Sequence, residues 1–121
     1  MRKPDITWRL FGAYILTLVF MVWAGTAKAQ MQLVVFNAGW NDGNDVRDWA
    51  FGMEDIQTYL YIDIGKDTEL QKKHKIAVIP TIIIFKDEEE VARFQADLSF
   101  KMVATKEEVQ EEIDNQLMSD F

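Results

Sequence analysis

The stretch Ala77-Val78-Ile79-Pro80-Thr81-Ile82-Ile83-Ile84-Phe85 sets a proline directly in front of a run of β-branched and aromatic residues. Proline has no backbone N–H and fixes φ, so it can open a strand but cannot sit inside a central one; the strand falls at about 81–86. An Ile-Pro-Thr step into a buried strand is also a place for a cis peptide bond, although spacing alone does not set the isomer.

The rest of the chain supplies partners for that strand. Leu33-Val34-Val35-Phe36, within Gln32 to Phe36, is a near-continuous apolar run, as expected for a strand covered on both faces. It ends in the loop signal Asn37-Ala38-Gly39-Trp40-Asn41-Asp42-Gly43. Val46, Trp49, Ala50 and Met53 are spaced i, i+3, i+4 and i+7, one apolar helix face, with Asn44 or Asp45 as N-cap. Tyr59 to Ile64 is a second strand stopped by Gly65, and a short helix over about 67–74 is capped by Asp67 or Thr68. After a solvated turn at Asp87-Glu88-Glu89-Glu90, the alternation in Val91-Ala92-Arg93-Phe94-Gln95-Ala96 predicts a strand with one solvated face. Thr105-Lys106-Glu107-Glu108 is a capping-box pattern, and Val109, Ile113 and Leu117 repeat behind it on one helix face. With a right-handed crossover between the first two strands, this order predicts a parallel pair flanked by an antiparallel hairpin.

Four features in this order carry a family resemblance: Phe36-x-Ala38-x-Trp40, a helix starting near Asn44, the strand end Tyr61-Ile62-Asp63, and Ile79-Pro80-Thr81 entering Phe85-Lys86. Together they resemble the thioredoxin-like superfamily over residues 32–117. The implied fold is α/β: the minimal thioredoxin-like fold, a central four-stranded mixed sheet flanked by helices, without the extra N-terminal strand and helix of full-length thioredoxins. The resemblance implies strand order 58–63, 32–37, 81–86, 90–96 and a cis bond before Pro80. It also implies a groove between Trp40 and Pro80, where Ile79 offers its N–H and C=O to an extended peptide.

Where the family carries Trp-Cys-x-x-Cys, this chain reads Trp40-Asn41-Asp42-Gly43-Asn44, and none of its 121 residues is cysteine. Amides are neither nucleophiles nor redox couples at neutral pH. The family's buried acid falls at Val35, so the proton acceptor is missing too. The expectation is a non-catalytic binding module, not an enzyme and without a cofactor, that holds a protein or extended-peptide partner through Trp40, Asn41, Asp42, Asn44, Ile79 and Pro80. Trp40 is read equally as packing and as contact. The connection from Asp97 to Ala104 is longer than usual for the family and is read as loop drift rather than as a reshaped groove edge.

The first thirty residues have their own logic. Arg2, Lys3 and Arg9 precede an apolar stretch from Leu10 to Gly25, and Ala27-Lys28-Ala29 follows, in the order of a secretory signal peptide. Residues 1–29 are therefore expected to be a signal peptide and 30–121 the thioredoxin-like domain, periplasmic or secreted. The competing reading is an uncleaved membrane anchor through residues 8–25, bracketed by Trp8 and Trp23, with the domain outside. In that version the chain is a structural subunit of a membrane or viral assembly. A third reading is a redox family member that borrows a partner's cysteine.

Without residues 1–29 the balance is 9 basic against 19 acidic side chains, net −10, which argues against nucleic acid and anionic lipid headgroups. Asn41, Asp42, Asn44, Asp45 and Asp48 miss the spacing of a Ca²⁺ loop, and acids are favoured at a helix start without any metal. Carboxylates on one helix turn also cannot face each other across a glycosidase cleft. His74, the only histidine, sits in Lys72-Lys73-His74-Lys75 and is expected to be a solvated surface residue without a triad or metal partner.

Overall fold

The computed structural model describes residues 29–119. The expected signal peptide or anchor lies outside the described residues apart from Ala29. The elements are β1 (Met31–Asn37), a 3-10 segment (Gly39–Asn44), α1 (Arg47–Ala50), β2 (Thr58–Asp63), α2 (Thr68–Lys73), β3 (Thr81–Lys86), β4 (Glu89–Gln95) and α3 (Lys106–Met118). They form one four-stranded mixed sheet in the order β2-β1-β3-β4. β1 is parallel to β2 and antiparallel to β3, and β3 is antiparallel to β4, the expected arrangement.

β1 lies in the middle and is covered twice, because successive strand side chains point to opposite faces. Met31, Leu33 and Val35 join Ile82, Ile84, Val46, Ala50, Met53, Val109 and Ile113 on one side. Val34 and Phe36 join Ile76, Ile79 and Ile83 on the other. The continuous apolar run in the sequence is thus two alternating faces, each with its own core.

Local chemistry sets the helix starts. Asp67 Oδ1 accepts from the Leu70 N–H at 3.1 Å at the head of α2. At α3, Thr105 Oγ1 accepts from the Glu108 N–H at 3.1 Å, and Glu108 Oε1 accepts from the Thr105 N–H at 2.8 Å. Both orphan donors are satisfied reciprocally.

Three expectations are corrected. The helix read through Met53 is only four residues long: Asp45 is extended (φ −65°, ψ 142°), Val46 stands at the N-cap, and the Gly52 N–H closes a turn on the Trp49 carbonyl at 3.0 Å. Asp45 instead turns back, its Oδ1 accepting from the Arg47 N–H at 3.0 Å. Val46, Ala50 and Met53 are buried all the same, so the spacing recorded which side chains meet the sheet rather than a continuous helix. β4 does not alternate cleanly either. Its register slips between Ile84 and Phe85, which pair with Ala92 and Glu90. Val91 becomes the extra residue of a bulge, and Val91, Ala92 and Phe94 all pack against the first core.

His74 is the third correction. Its ring is half-buried, with centroids 5.5 Å from Phe36 and 5.6 Å from Phe85. Arg93 of β4, paired with Glu90 at 2.8 Å, reaches across to donate to the His74 and Lys75 carbonyls at 2.7 and 3.2 Å. The cation so placed caps the end of α2, where the helix dipole is negative.

Burial first, then neighbouring Lys73, hold the His74 imidazole below its ordinary range, with Glu90 opposing and Arg93 adding to the effect. The folded chain therefore binds fewer protons here than the unfolded one, and stability falls as pH drops through the unfolded value of about 6.5. We expect the urea midpoint to fall between about pH 7.5 and 5.5 and His74→Phe, which keeps the aromatic packing, to flatten that slope. An unchanged slope in the variant would assign the pH dependence elsewhere.

Candidate functional site

The carboxyl end of β1 runs into a segment rich in short polar residues, and the structure turns two of them, Asn37 and Asn41, inward. Asn37 is fully buried and Asn41 is 5% exposed. A buried amide must find partners for its two donors and its acceptor. Asn41 Nδ2 donates to Asn37 Oδ1 at 3.1 Å and to the Phe100 carbonyl at 3.2 Å. Asn41 Oδ1 accepts from Asn44 Nδ2 at 2.9 Å, and Asn37 Nδ2 reaches the Asn41 carbonyl at 3.4 Å. The two positions where the family carries cysteines are therefore bonded to each other as amides, and the first ties its segment to the loop after β4.

That loop is folded rather than drifting, which corrects the sequence reading of Asp97 to Ala104. Asp97 Oδ1 accepts from the Ser99 N–H, the Ser99 hydroxyl and the Lys101 N–H at 2.9, 2.7 and 3.1 Å. The Ser99 hydroxyl, followed by the Lys101 N–H, holds the Asp97 carboxyl below the usual range. Ala96 and Met102 pair as an isolated bridge behind the turn. Phe100 takes a left-handed conformation (φ 67°), a conformation side chains adopt only when the surroundings hold them there. Its ring meets Trp40 edge-on, with centroids 5.1 Å apart at 88°, the geometry aromatic quadrupoles favour.

The six candidate residues divide. Trp40 is 69% exposed and Asp42 is also exposed, whereas Asn44 is half-buried. Asn41, Ile79 and Pro80 are buried. Ile79 points into the second core, the Ile79–Pro80 bond is cis, and the Pro80 carbonyl accepts from the Ala96 N–H at 3.0 Å. The Ile79 side chain is therefore in the core rather than at the surface, and Pro80 is buried beside it. What faces solvent is Trp40 with the turn at 98–100, where Leu98 is 89% exposed and Phe100 39%.

Leu98 and Phe100 escaped the sequence reading. The signal was there in Asp97-x-Ser99, an Asx-type turn that brackets two large apolar residues. An open cleft of about 440 Å³ is lined by Asn44, Asp45, Trp49, Lys101, Met102 and Lys106. Among the described residues no three His, Cys, Asp or Glu side chains gather as metal ligands. Asp45 is instead paired with Arg47 at 2.7 Å. Val35, where the family has its acid, is fully buried in the first core. The chain carries no thiol, and the position of the family's acid is apolar.

Comparison with solved structures places this geometry. A mutant thioredoxin from Halobacterium salinarum NRC-1 superposes with a TM-score of 0.58 at 16% identity, covering 73% of this chain and 75% of that one. Thioredoxin-2, a component of the malaria parasite protein secretion machinery, gives 0.52 at 19% identity over 74% of this chain and 85% of that one. The oxidised thioredoxin from Plasmodium falciparum gives 0.51 at 15% identity over 73% and 82%. No protein-family model matches the sequence, and no curated protein matches it. At such identities the likeness concerns the backbone alone: the chain has a thioredoxin-like fold, and it carries no cysteine.

Proposed function

We propose that the chain is a non-catalytic thioredoxin-like binding module that holds a protein or extended-peptide partner against Trp40, Phe100 and Leu98. One observation carries this reading: large apolar side chains stay exposed on two segments that are fastened to each other rather than loose. Rigid aromatic anchors bind with little loss of side-chain freedom, and a contiguous exposed apolar patch is what contact sites use. Absence of thiols removes disulfide exchange from the chain's own chemistry.

Export belongs to the same proposal. The charged, apolar and small-residue order of residues 1–29 would deliver the domain across the cytoplasmic membrane. The intact mass of the protein recovered from its host decides its form: a chain starting at Gln30 means release, and one starting at Met1 means anchorage through residues 8–25.

A photo-crosslinker at residue 40 should capture the partner above background, whereas one at Glu111, exposed on α3, should not. Trp40→Ala should weaken that partner's binding by about 2 kcal/mol, roughly thirtyfold. Capture from residue 111 and not from 40 would refute the assignment.

A second prediction concerns the vanished chemistry. The Asn41 and Asn44 side chains already meet, so Asn41→Cys with Asn44→Cys should form an intramolecular disulfide. Reductase activity should stay weak, because no α-helix begins at residue 41 to acidify the first thiol and Val35 offers no proton acceptor. A double variant that reduces insulin like an ordinary thioredoxin would overturn this account of the site.

A further inference from the structure

The open cleft of about 440 Å³ has an apolar lining and a charged one. Trp49, Met102 and Ala104 are only partly buried against the first core, so they still offer apolar surface to the cleft. Lys101 and Lys106, both exposed, line the same space. Two basic side chains thus meet at one place on a domain, residues 30–121, that carries 9 basic against 19 acidic ones.

The other polar groups of the lining are already engaged. Asp45 accepts from the Arg47 N–H through Oδ1 at 3.0 Å and from Arg47 Nε through Oδ2 at 2.7 Å, which neutralises the one acid on the wall. Asn44 Nδ2 donates to Asn41 Oδ1 at 2.9 Å, and Thr105 Oγ1 accepts from the Glu108 N–H at 3.1 Å. Glu108 turns back onto the Thr105 N–H. Lys101 feels the Asp97 carboxylate, but that group already accepts three hydrogen bonds inside its own turn. Among the described residues neither ammonium group is held in an ion pair.

We propose that this cleft selects the partner: it takes an acidic peptide segment, with a bulky apolar side chain against Trp49 and Met102 and a neighbouring carboxylate held by Lys101 and Lys106. The inference rests on the reading of the chain as a peptide-holding module and gives that partner a chemistry. Charge complementarity carries it, since an apolar lining with two ammonium groups outside any ion pair matches an apolar group joined to an anion. An open cleft would leave much of a small molecule in water, whereas a side chain carried on a longer segment needs cover for one part only. The lining segments, 44–49 and 101–106, continue from those that carry Trp40 and Phe100, which the Asn41–Phe100 bond ties together. One or two carboxylates suit the site better than a polyanion such as nucleic acid. The surplus of acids repels a long anion along its length, while a single carboxylate responds chiefly to charges within about 8–10 Å.

Fluorine NMR of the full chain labelled with 5-fluorotryptophan reads the two surfaces separately, Trp49 in the cleft and Trp40 in the cap, each resonance being assigned by its substitution with Phe. The probes are acetylated and amidated peptides of sequence Gly-Ser-Leu-X-Leu-Ser-Gly, in which X is Glu, Gln or Lys. The Glu peptide should shift the Trp49 resonance with about millimolar affinity and the Gln peptide about tenfold more weakly, with the difference fading as salt rises. Lys101→Glu combined with Lys106→Glu should reverse the order, so that the Lys peptide binds and the Glu peptide does not. The circular dichroism spectrum should not change, because the turn uses the Lys101 backbone and an acid is favoured at the start of α3. A Trp49 resonance indifferent to the Glu peptide, or one that moves equally with Glu and Gln, would overturn the assignment. Capture from residue 40 undiminished by the two lysine substitutions would likewise overturn the cleft and leave the cap standing. Charge-dependent binding at Trp49 with no partner captured from residue 40 would instead remove the cap and uphold the cleft.

Discussion

Strand β1 is buried on both faces, and the other elements take their places from that constraint. Leu33, Val34, Val35 and Phe36 are each 3% exposed or less. Each large apolar side chain taken out of water contributes about 1.5–3 kcal/mol. A strand of this kind needs a hydrogen-bonded neighbour on each side and a layer on each face. β2 and β3 supply the first. Side chains of α1 and α3 cover one face, and Ile76 and Ile79, from the segment after α2, cover the other.

The same burial explains the end of β1. A chain leaving a doubly covered strand carries its first polar residues into the interior, where unpaired amides each cost about 1–3 kcal/mol. Asn37 and Asn41 answer that by bonding each other, and Asn41 also donates to the Phe100 carbonyl. A thiol at position 41 could not hold the loop in this way, because sulfur is a weak hydrogen-bonding group.

Much of the fold was legible because its signals are local. Pro80 marked the start of β3, Asp67 and Thr105 marked two helix starts, and apolar runs marked the strands. Features that depend on distant residues were not. The spacing of Val46, Ala50 and Met53 reported burial but not helix length, since hydrogen bonding there is decided by Asp45 and Gly52. His74 looked solvated among lysines and is instead enclosed by Phe36 and Phe85 from two strands. Of the candidate site, Trp40 and Asp42 were found at the surface, while Ile79, Pro80 and Asn41 turned out to be internal and Phe100 came from a loop whose one local signal, Asp97-x-Ser99, marks a turn and not a contact with Trp40.

The account rests on the loop after β4 being fastened to the Asn41 amide, and hydrogen–deuterium exchange reads that most directly. In the native chain the N–H groups of Asp97, Ser99, Phe100 and Lys101, all hydrogen-bonded within the turn, should exchange slowly. In Asn41→Ala they should exchange markedly faster, while β1 keeps its protection because its bonds lie in the sheet. Rapid exchange of the turn in the native chain, or exchange indifferent to Asn41→Ala, would contradict it.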